Sequence, residues 1–452
     1  MSAERLDLRD VAVRVLEAAK KQGASGADAI VREEHSLSAG VHLGTIDKLK
    51  TARERSLGLR VFYGHRSAMT STSDFSTASL DRLVMDTCAL ARVTAEDPTS
   101  GLPDPSELGA QPGDFDLYDP EQARLSVEDQ VERVRRAEAA AMAVDKRITN
   151  SEGAEWDGGA ARTVLANTHG FLGEVERTGF SLYVAPIAQE NGAMQRDYYY
   201  TAGCKLSQLE SPEEVGRKAG ERALRRLSAR KVATCRVPVI FDADNASSLL
   251  DHLAGAVSGT SLYRGASFLI GKLGERIGPE RIMVVDDGTL PARLGSAPFD
   301  GEGLPTRRTI VVDRGRLASW ILDTYSARKL DLQSTGNARR GISDAPTVAP
   351  HNFYLEPGKD TPEDLIRSVK RGLYVTELIG FGVNTVTGDY SRGAAGLWIE
   401  NGELAYPVEE ITVAGNLLEM FRRVEGIAND LDFRRSVTSP TILIGEMTVA
   451  GD

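Results

Sequence analysis

Between Glu96 and Pro120 neither a helix nor a central strand can persist in this chain, because Pro98, Pro103, Pro105, Pro112 and Pro120 are interleaved with Gly101, Gly109 and Gly113. Proline lacks the amide hydrogen that a helix interior or a central strand uses, and its ring clashes with the preceding helical turn. The stretch reads as a long surface connection, and it fixes the organisation around it. An N-terminal α+β domain (1–95) precedes it, a central α+β domain (121–232) follows, and a mainly β C-terminal domain (233–452) completes the chain. The expected fold class is α+β, with N-terminal α/β units ahead of the mainly β part.

Periodicity fills in these units. In the first, the spacing predicts a helix over 8–21 stopped by Gly23, strands over 27–34 and 56–63, and a helix over 78–93. In the second, Ser126 caps a helix whose Val127, Val131, Val134, Ala141 and Val144 make one apolar stripe to about Lys146. Strands at 162–166 and 180–184 flank the turn-forming Asn167-Thr-His-Gly170. A helix then opens at Ser211, with Pro212 at its first position and Glu214 completing a capping box, and runs to about Ser228. Its basic residues between Arg217 and Arg230 read as a solvated face.

The C-terminal part starts with a strand at 237–241 and contains three related turns, Val285-Asp-Asp-Gly-Thr-Leu290, Val312-Asp-Arg-Gly-Arg-Leu317 and Ile399-Glu-Asn-Gly-Glu-Leu404. Glycine supplies the positive φ of tight hairpins. Short helices are expected from Thr361-Pro362 to Gly372 and within 415–424.

With 54 Lys plus Arg against 65 Asp plus Glu, the net charge of -11 opposes binding to a phosphate backbone, so no nucleic acid is expected. Met1 to Asp10 carries acidic charge and no apolar signal core, and no run reaches the roughly 18 apolar residues of a membrane span. Three cysteines without paired spacing give no disulfide framework. A cytoplasmic location is the expectation.

Residues 249–260 read as an amphipathic helix capped by Asn245 or Ser247, with Leu249, Leu250, Leu253, Ala254 and Val257 on one side and Asp251, His252 and Ser258 on the other. Asp251 and His252 read as a surface or interface pair, since neighbouring helical positions diverge by about 100°. His351 is a second isolated histidine. Gly380-Phe-Gly382 and Gly388-Asp-Tyr-Ser-Arg-Gly393 follow neither phosphate-loop pattern and read as a turn between strands. Nothing resembles a Gly-x-Ser-x-Gly elbow.

Thr94-Ala-Glu-Asp-Pro98 with Gly101-Leu-Pro103, Pro212-Glu-Glu-Val-Gly216, Val284-Val-Asp-Asp-Gly288, Gly336-Asn337 with Arg339-Arg340, Asn384 with Thr387-Gly-Asp-Tyr-Ser391, and Glu400-Asn-Gly402 with Gly415-Asn416 span most of the chain. In their order and spread they resemble the TldD/PmbA metalloprotease family, in its PmbA (TldE) branch. The TldD branch carries His-Glu-x-x-x-His on the corresponding helix and a further zinc-binding cysteine near the C-terminus. Those helix positions are Asp251, His252 and Ala256 here, and Cys88, Cys204 and Cys235 all precede the helix. The resemblance thus implies no catalytic residues, metal or cofactor on this chain and zinc on a TldD-like partner. It also implies an unstructured peptide as substrate, degraded or freed of a leader, with Asp389, Ser391 and Arg392 as candidate contacts in the peptide cleft. Asp300-Gly-Glu-Gly-Leu-Pro305 with Arg307 and Arg308 is shared in outline by both branches and is expected to shape the common fold. Two alternatives stand beside this one: a free-standing metallopeptidase with a rearranged site using Asp251 and His252, perhaps with His351, and a peptide-binding homodimer.

Overall fold

The computed structural model describes residues 7–451; the first six residues of the opening stretch considered above lie outside them. Helix α1 (Leu8–Lys21) begins where the Asp7 carboxylate accepts the Arg9 amide, and it buries Leu8, Val11, Ala12, Val15, Leu16 and Ala19. Strands β1 (Gly26–His42), β2 (Thr45–Tyr63) and β3 (Arg66–Thr72) form an antiparallel meander, and α2 (Thr77–Val93) returns over it from a Ser76 cap. Beyond the Pro/Gly-rich segment come α3 (Val127–Met142), β4 (Ile148–Asn167), β5 (Leu172–Glu190), β6 (Ala193–Arg196), β7 (Tyr199–Gly203) and α4 (Pro212–Leu224).

The first and central segments share one sheet. Strand β1 pairs with β4 from Asp28↔Asn167 to Val41↔Ala154, giving the order β3-β2-β1-β4-β5-β6 with β7 beside β5. These strands run far beyond the predicted ones because long-range pairing sustains polar stretches, such as 45–55, that show no apolar alternation. Side chains two apart share a face. Ala27, Ala29, Val31, Leu57, Leu59 and Val61 therefore pack under α1 and α2, while Leu37, Ala39, Val41 and Trp156 pack under α3 and α4. The opposite face, with Asp28, Ile30, Gly58 and Arg60, meets the C-terminal region: Ile30 and Leu165 form a small core with Phe299.

That region comprises β8 (Cys235–Phe241), α5 (Ala243–Ala256), α6 (Gly259–Tyr263), β9 (Val284–Asp287), β10 (Arg308–Asp313), β11 (Arg316–Leu317), α7 (Thr324–Lys329), β12 (Ala338–Arg339), β13 (Thr347–Val348) and β14 (Phe353–Leu355). It continues through α8 (Pro362–Ser368), β15 (Arg371–Ile379), β16 (Asp389–Glu400), β17 (Glu403–Asn416), α9 (Leu417–Arg422), β18 (Val424–Ile427), β19 (Val437–Thr438) and β20 (Ile442–Ala450). Its main sheet has the order β17-β16-β15-β8-β20-β18, and β17 also pairs with β20, so the sheet closes on itself. A second sheet, β11-β10-β9-β14-β19, shares its core. The fold is α+β, as expected.

Several local expectations change in the structure. Two of the three turns are two-residue hairpins with positive φ at both positions, Arg314-Gly315 and Asn401-Gly402. The turn after Val285 is not a hairpin: β9 pairs with the distant β10 and β14, and Asp287 folds back to accept the Thr289 amide and hydroxyl. Ser211 caps α4, but the Glu214 carboxylate turns outward to Arg217, so the capping box is half made. Helix α4 ends at Leu224, and the basic run is not a purely solvated face, since Arg222 within the helix reaches Asp244 and Arg226 beyond it reaches Glu377. Helix α8 ends at Ser368, and Gly372 lies inside β15 against the Pro238 carbonyl.

The Pro/Gly-rich segment is a strap with its own hydrogen bonds and buried Leu102 and Leu117. The Gly109 amide bonds to the Gly303 carbonyl, Arg328 donates to the carbonyls of Thr99, Gly101 and Leu102, and the Tyr325 hydroxyl donates to Asp97 at 2.7 Å. Backbone that cannot pair within an element must find partners elsewhere, and here the C-terminal region supplies them. Among the described residues no helix is long and apolar enough to cross a membrane.

Candidate functional site around helix α5

Helix α5 leaves β8 through Asp242, whose carboxylate accepts the Asn245 amide at 2.9 Å and the Asn245 side-chain amide at 2.7 Å. Asp242 is the cap, correcting the choice of Asn245 or Ser247. Those two lie inside the helix and are buried: Ser247 donates to the Ala243 carbonyl and accepts the Ser439 amide, tying α5 to the end of β19. Burial, reinforced by Asp244 and opposed by Arg222, pushes the Asp242 carboxyl up to about 6.

The three motif positions on α5 have different surroundings. Ala256 is 0% exposed, a methyl in the main C-terminal core with Leu249, Leu250 and Leu253. Asp251 is exposed, with partial loss of hydration at its carboxyl raising its pKa and Arg435 opposing the rise. His252 is half-buried and turned the other way, its ring 6.3 Å from that of Tyr390 in an edge-on arrangement. The two side chains diverge, as neighbouring helical positions do. The Nε2 of His252, the Tyr390 hydroxyl and the Nε of Arg392 are all buried without a hydrogen-bond partner among the described residues. Burial, then the nearby Arg392 charge, depresses the His252 pKa and so favours the neutral imidazole.

The cleft candidates on β16 divide between two faces. Asp389 and Ser391 are exposed, the Asp389 carboxylate accepting the Thr387 hydroxyl at 2.7 Å. Arg392 shares the face of Tyr390, donates to the Leu378 carbonyl at 3.3 Å and lies toward His252. The structure therefore brings His252 and Arg392 together and leaves Asp389 and Ser391 apart from them. His351 goes elsewhere: its Nε2 is 2.7 Å from the Gly336 carbonyl and its amide donates to Asp286. Ser258, buried, precedes α6. Asp300 accepts the amides of Glu302, Leu304 and Ala338, which explains how that motif shapes its turn.

Tyr390 was missed at the sequence level, as was a buried charge cluster joining the sheet to the C-terminal region. Asp28 on β1 receives Arg60 from β2 at 2.5 and 2.9 Å and pairs with Arg340, whose side chain is fully buried. Its signal was a charge on alternate positions of an apolar strand, Asp28-x-Ile30-x-Arg32, which marks a second covered face.

Residues 27–91, 120–227 and 234–451 match, in order, domain 1, the central domain and the C-terminal domain of the PmbA/TldA metallopeptidases. The metalloprotease PmbA of Escherichia coli O157:H7 is 39% identical over 451 residues, covering 100% of this chain and 98% of that one. The chain belongs to the PmbA/TldD family, in its PmbA branch. The PmbA homolog of Haemophilus influenzae is 36% identical over 453 residues, covering 100% and 98%. The crystal structure of TldE from Thermococcus kodakarensis superposes with a TM-score of 0.88 over 97% of this chain and 99% of that one at 22% identity, a likeness of fold.

A metallopeptidase family implies a metal, and the sequence resemblance lays the TldD-branch motif on Asp251, His252 and Ala256 of α5. The donors at its three positions do not fit zinc: an Ala256 methyl has no lone pair, and Asp251 and His252 diverge. Among the described residues no group of three or more His, Cys, Asp or Glu side chains is placed to hold a metal ion.

Proposed function

We propose that this PmbA-branch chain is the zinc-free subunit of a two-chain TldD/TldE-type metalloprotease that degrades unstructured peptides or removes leaders from them. The observation that carries this reading is that Ala256, the position on which the sequence resemblance lays a zinc-binding histidine of the TldD branch, is a fully buried core methyl. In this arrangement the TldD-like partner supplies zinc and the activated water, and the present chain helps form the peptide cleft.

An exposed apolar surface supports a partner. Phe381 is fully exposed, with Ile379 and Val386 exposed in the same loop region. The Phe268–Thr385 backbone bond brings this loop to the segment bearing exposed Ile270 and Leu273. Apolar side chains clustered in this way usually mark a contact surface. The three free cysteines suit a reducing, cytoplasmic setting.

The test is to measure zinc content and cleavage of an unstructured peptide for the purified chain alone, for a zinc-bearing TldD-type chain, and for both together. Zinc on the partner, with cleavage in the mixture and none in the present chain alone, is the expected pattern. Stoichiometric zinc and cleavage in the lone chain would overturn the proposal.

A further inference from the structure

Where the shared N-terminal sheet faces the C-terminal region, a cavity of about 570 Å³ opens between them, within the usual size of a ligand site. Its wall on the sheet side is made by Arg32 and Ile30 of β1, Leu165 of β4, and Val175 and Arg177 of β5. The opposite wall presents Arg339, Arg340, Arg434 and Arg435. Six arginines thus converge on one apolar-floored space in a chain of net charge -11.

Arg434 pairs with Asp244 and Asp432 and Arg340 with Asp28, but the other four charges are unmatched. Among the described residues Arg32, Arg177, Arg339 and Arg435 have no carboxylate within ion-pairing distance. Arg177 donates only to the Leu294 and Ser296 carbonyls, and burial together with Arg32 and Arg339 opposes its charge. Arg340 gives one nitrogen to Asp28, while its buried Nε and Nη2 have no partner among the described residues. The one carboxylate of the lining, Asp300, is occupied by three backbone amides. A neighbouring cavity of about 530 Å³ is different: its Arg222 and Arg434 pair with Asp244 and Asp432. Arg340 is buried and Arg32 and Arg177 are half-buried, while Arg339 and Arg435 reach solvent at the rim; a guanidinium withdrawn from water is costly unless an anion completes it, and planar guanidinium forks fit carboxylates.

We infer that this cavity binds the carboxylates of an acidic peptide segment, holding part of the substrate between the N-terminal sheet and the C-terminal region. The peptide character of the ligand rests on the proposed function above, whereas the preference for negative charge rests on the cavity alone. Single-sign charge between low-dielectric walls also attracts such a segment from a distance, and added salt weakens that attraction.

The experiment uses the isolated full chain and fluorescently labelled hexaglutamate, with hexaglutamine, free glutamate and inorganic phosphate as comparators. Hexaglutamate is expected to bind in a salt-sensitive way, and hexaglutamine is not. The double variant Arg32→Gln with Arg339→Gln is expected to lose roughly tenfold or more in affinity while its urea unfolding midpoint stays unchanged, because neither arginine balances a carboxylate in the fold. Equal binding of both peptides, unchanged affinity in the variant, or phosphate or free glutamate binding as tightly as the peptide would each overturn the inference. No zinc or partner enters this measurement. A lone chain that cleaves peptides would sink the proposed function without touching the charge preference, and absent hexaglutamate binding would sink the inference without touching the two-chain reading.

Discussion

Asp28→Asn tests how the N-terminal sheet is fastened to the C-terminal region. Burial pushes the Asp28 carboxyl up, but Arg340 and Arg60 together outweigh it and hold the pKa below its ordinary value. Neutralising Asp28 leaves the Arg340 side chain, 0% exposed, and the Arg60 side chain, 12% exposed, without their main counter-charge. Breaking a buried pair from one side costs about 3–5 kcal/mol. Glu302 lies 3.9 Å from Arg60, and burial, reinforced by Asp300 and opposed by Arg60, pushes its carboxyl up to about 7. Its ionisation replaces part of the lost charge, so the lower end is expected, about 3 kcal/mol or roughly a hundredfold in the unfolding constant. Urea unfolding at neutral pH, followed through Trp156 under the sheet and Trp398 in the C-terminal core, measures this loss. Because the folded pKa lies below the unfolded one, the Asp28 contribution is present above roughly pH 4 and disappears as pH falls through the lower folded value. The variant should therefore show a shallower loss of stability on acidification. Adding Arg340→Met should recover much of the deficit, since the guanidinium that the substitution had stripped of its anion is then gone as well. A loss below about 1 kcal/mol, or a double variant no more stable than the single one, would refute the reasoning.

Gly58→Ala should destabilise the chain by about 1–3 kcal/mol in the same urea assay, because the added carbon would stand 1.9 Å from the Ile342 carbonyl oxygen. Asp242→Asn should flatten the stability profile between about pH 4 and pH 6, since a carboxyl raised to about 6 when folded contributes stability below its unfolded value and loses it as pH rises. That profile is read from unfolding midpoints across the range. Phe381→Ser should weaken association with a TldD-type chain by roughly tenfold or more, measured by titration calorimetry, and leave the unfolding midpoint unchanged, because the ring is fully exposed.

Local chemistry was readable from the sequence wherever one short segment carried the whole cause. The helix at 8–21 and the caps at Ser126 and Ser211 depend on neighbours within a few residues, as do the Arg314-Gly315 and Asn401-Gly402 hairpins, and all are present. The order of short motifs likewise carried the family. Partners far apart in the chain were not readable. Asp28 meets Arg340 across 312 positions, and β1 meets β4 only once the strap has crossed between them, so a charge that looks solvated in its own strand becomes buried. The same limit hid the meeting of His252 with Tyr390 and Arg392 and the gathering of arginines from β1, β5 and the C-terminal region around one cavity. Sequence specifies which atoms are available within a turn or two. Burial and long-range pairing decide which of those atoms lose water and which charges they must then satisfy.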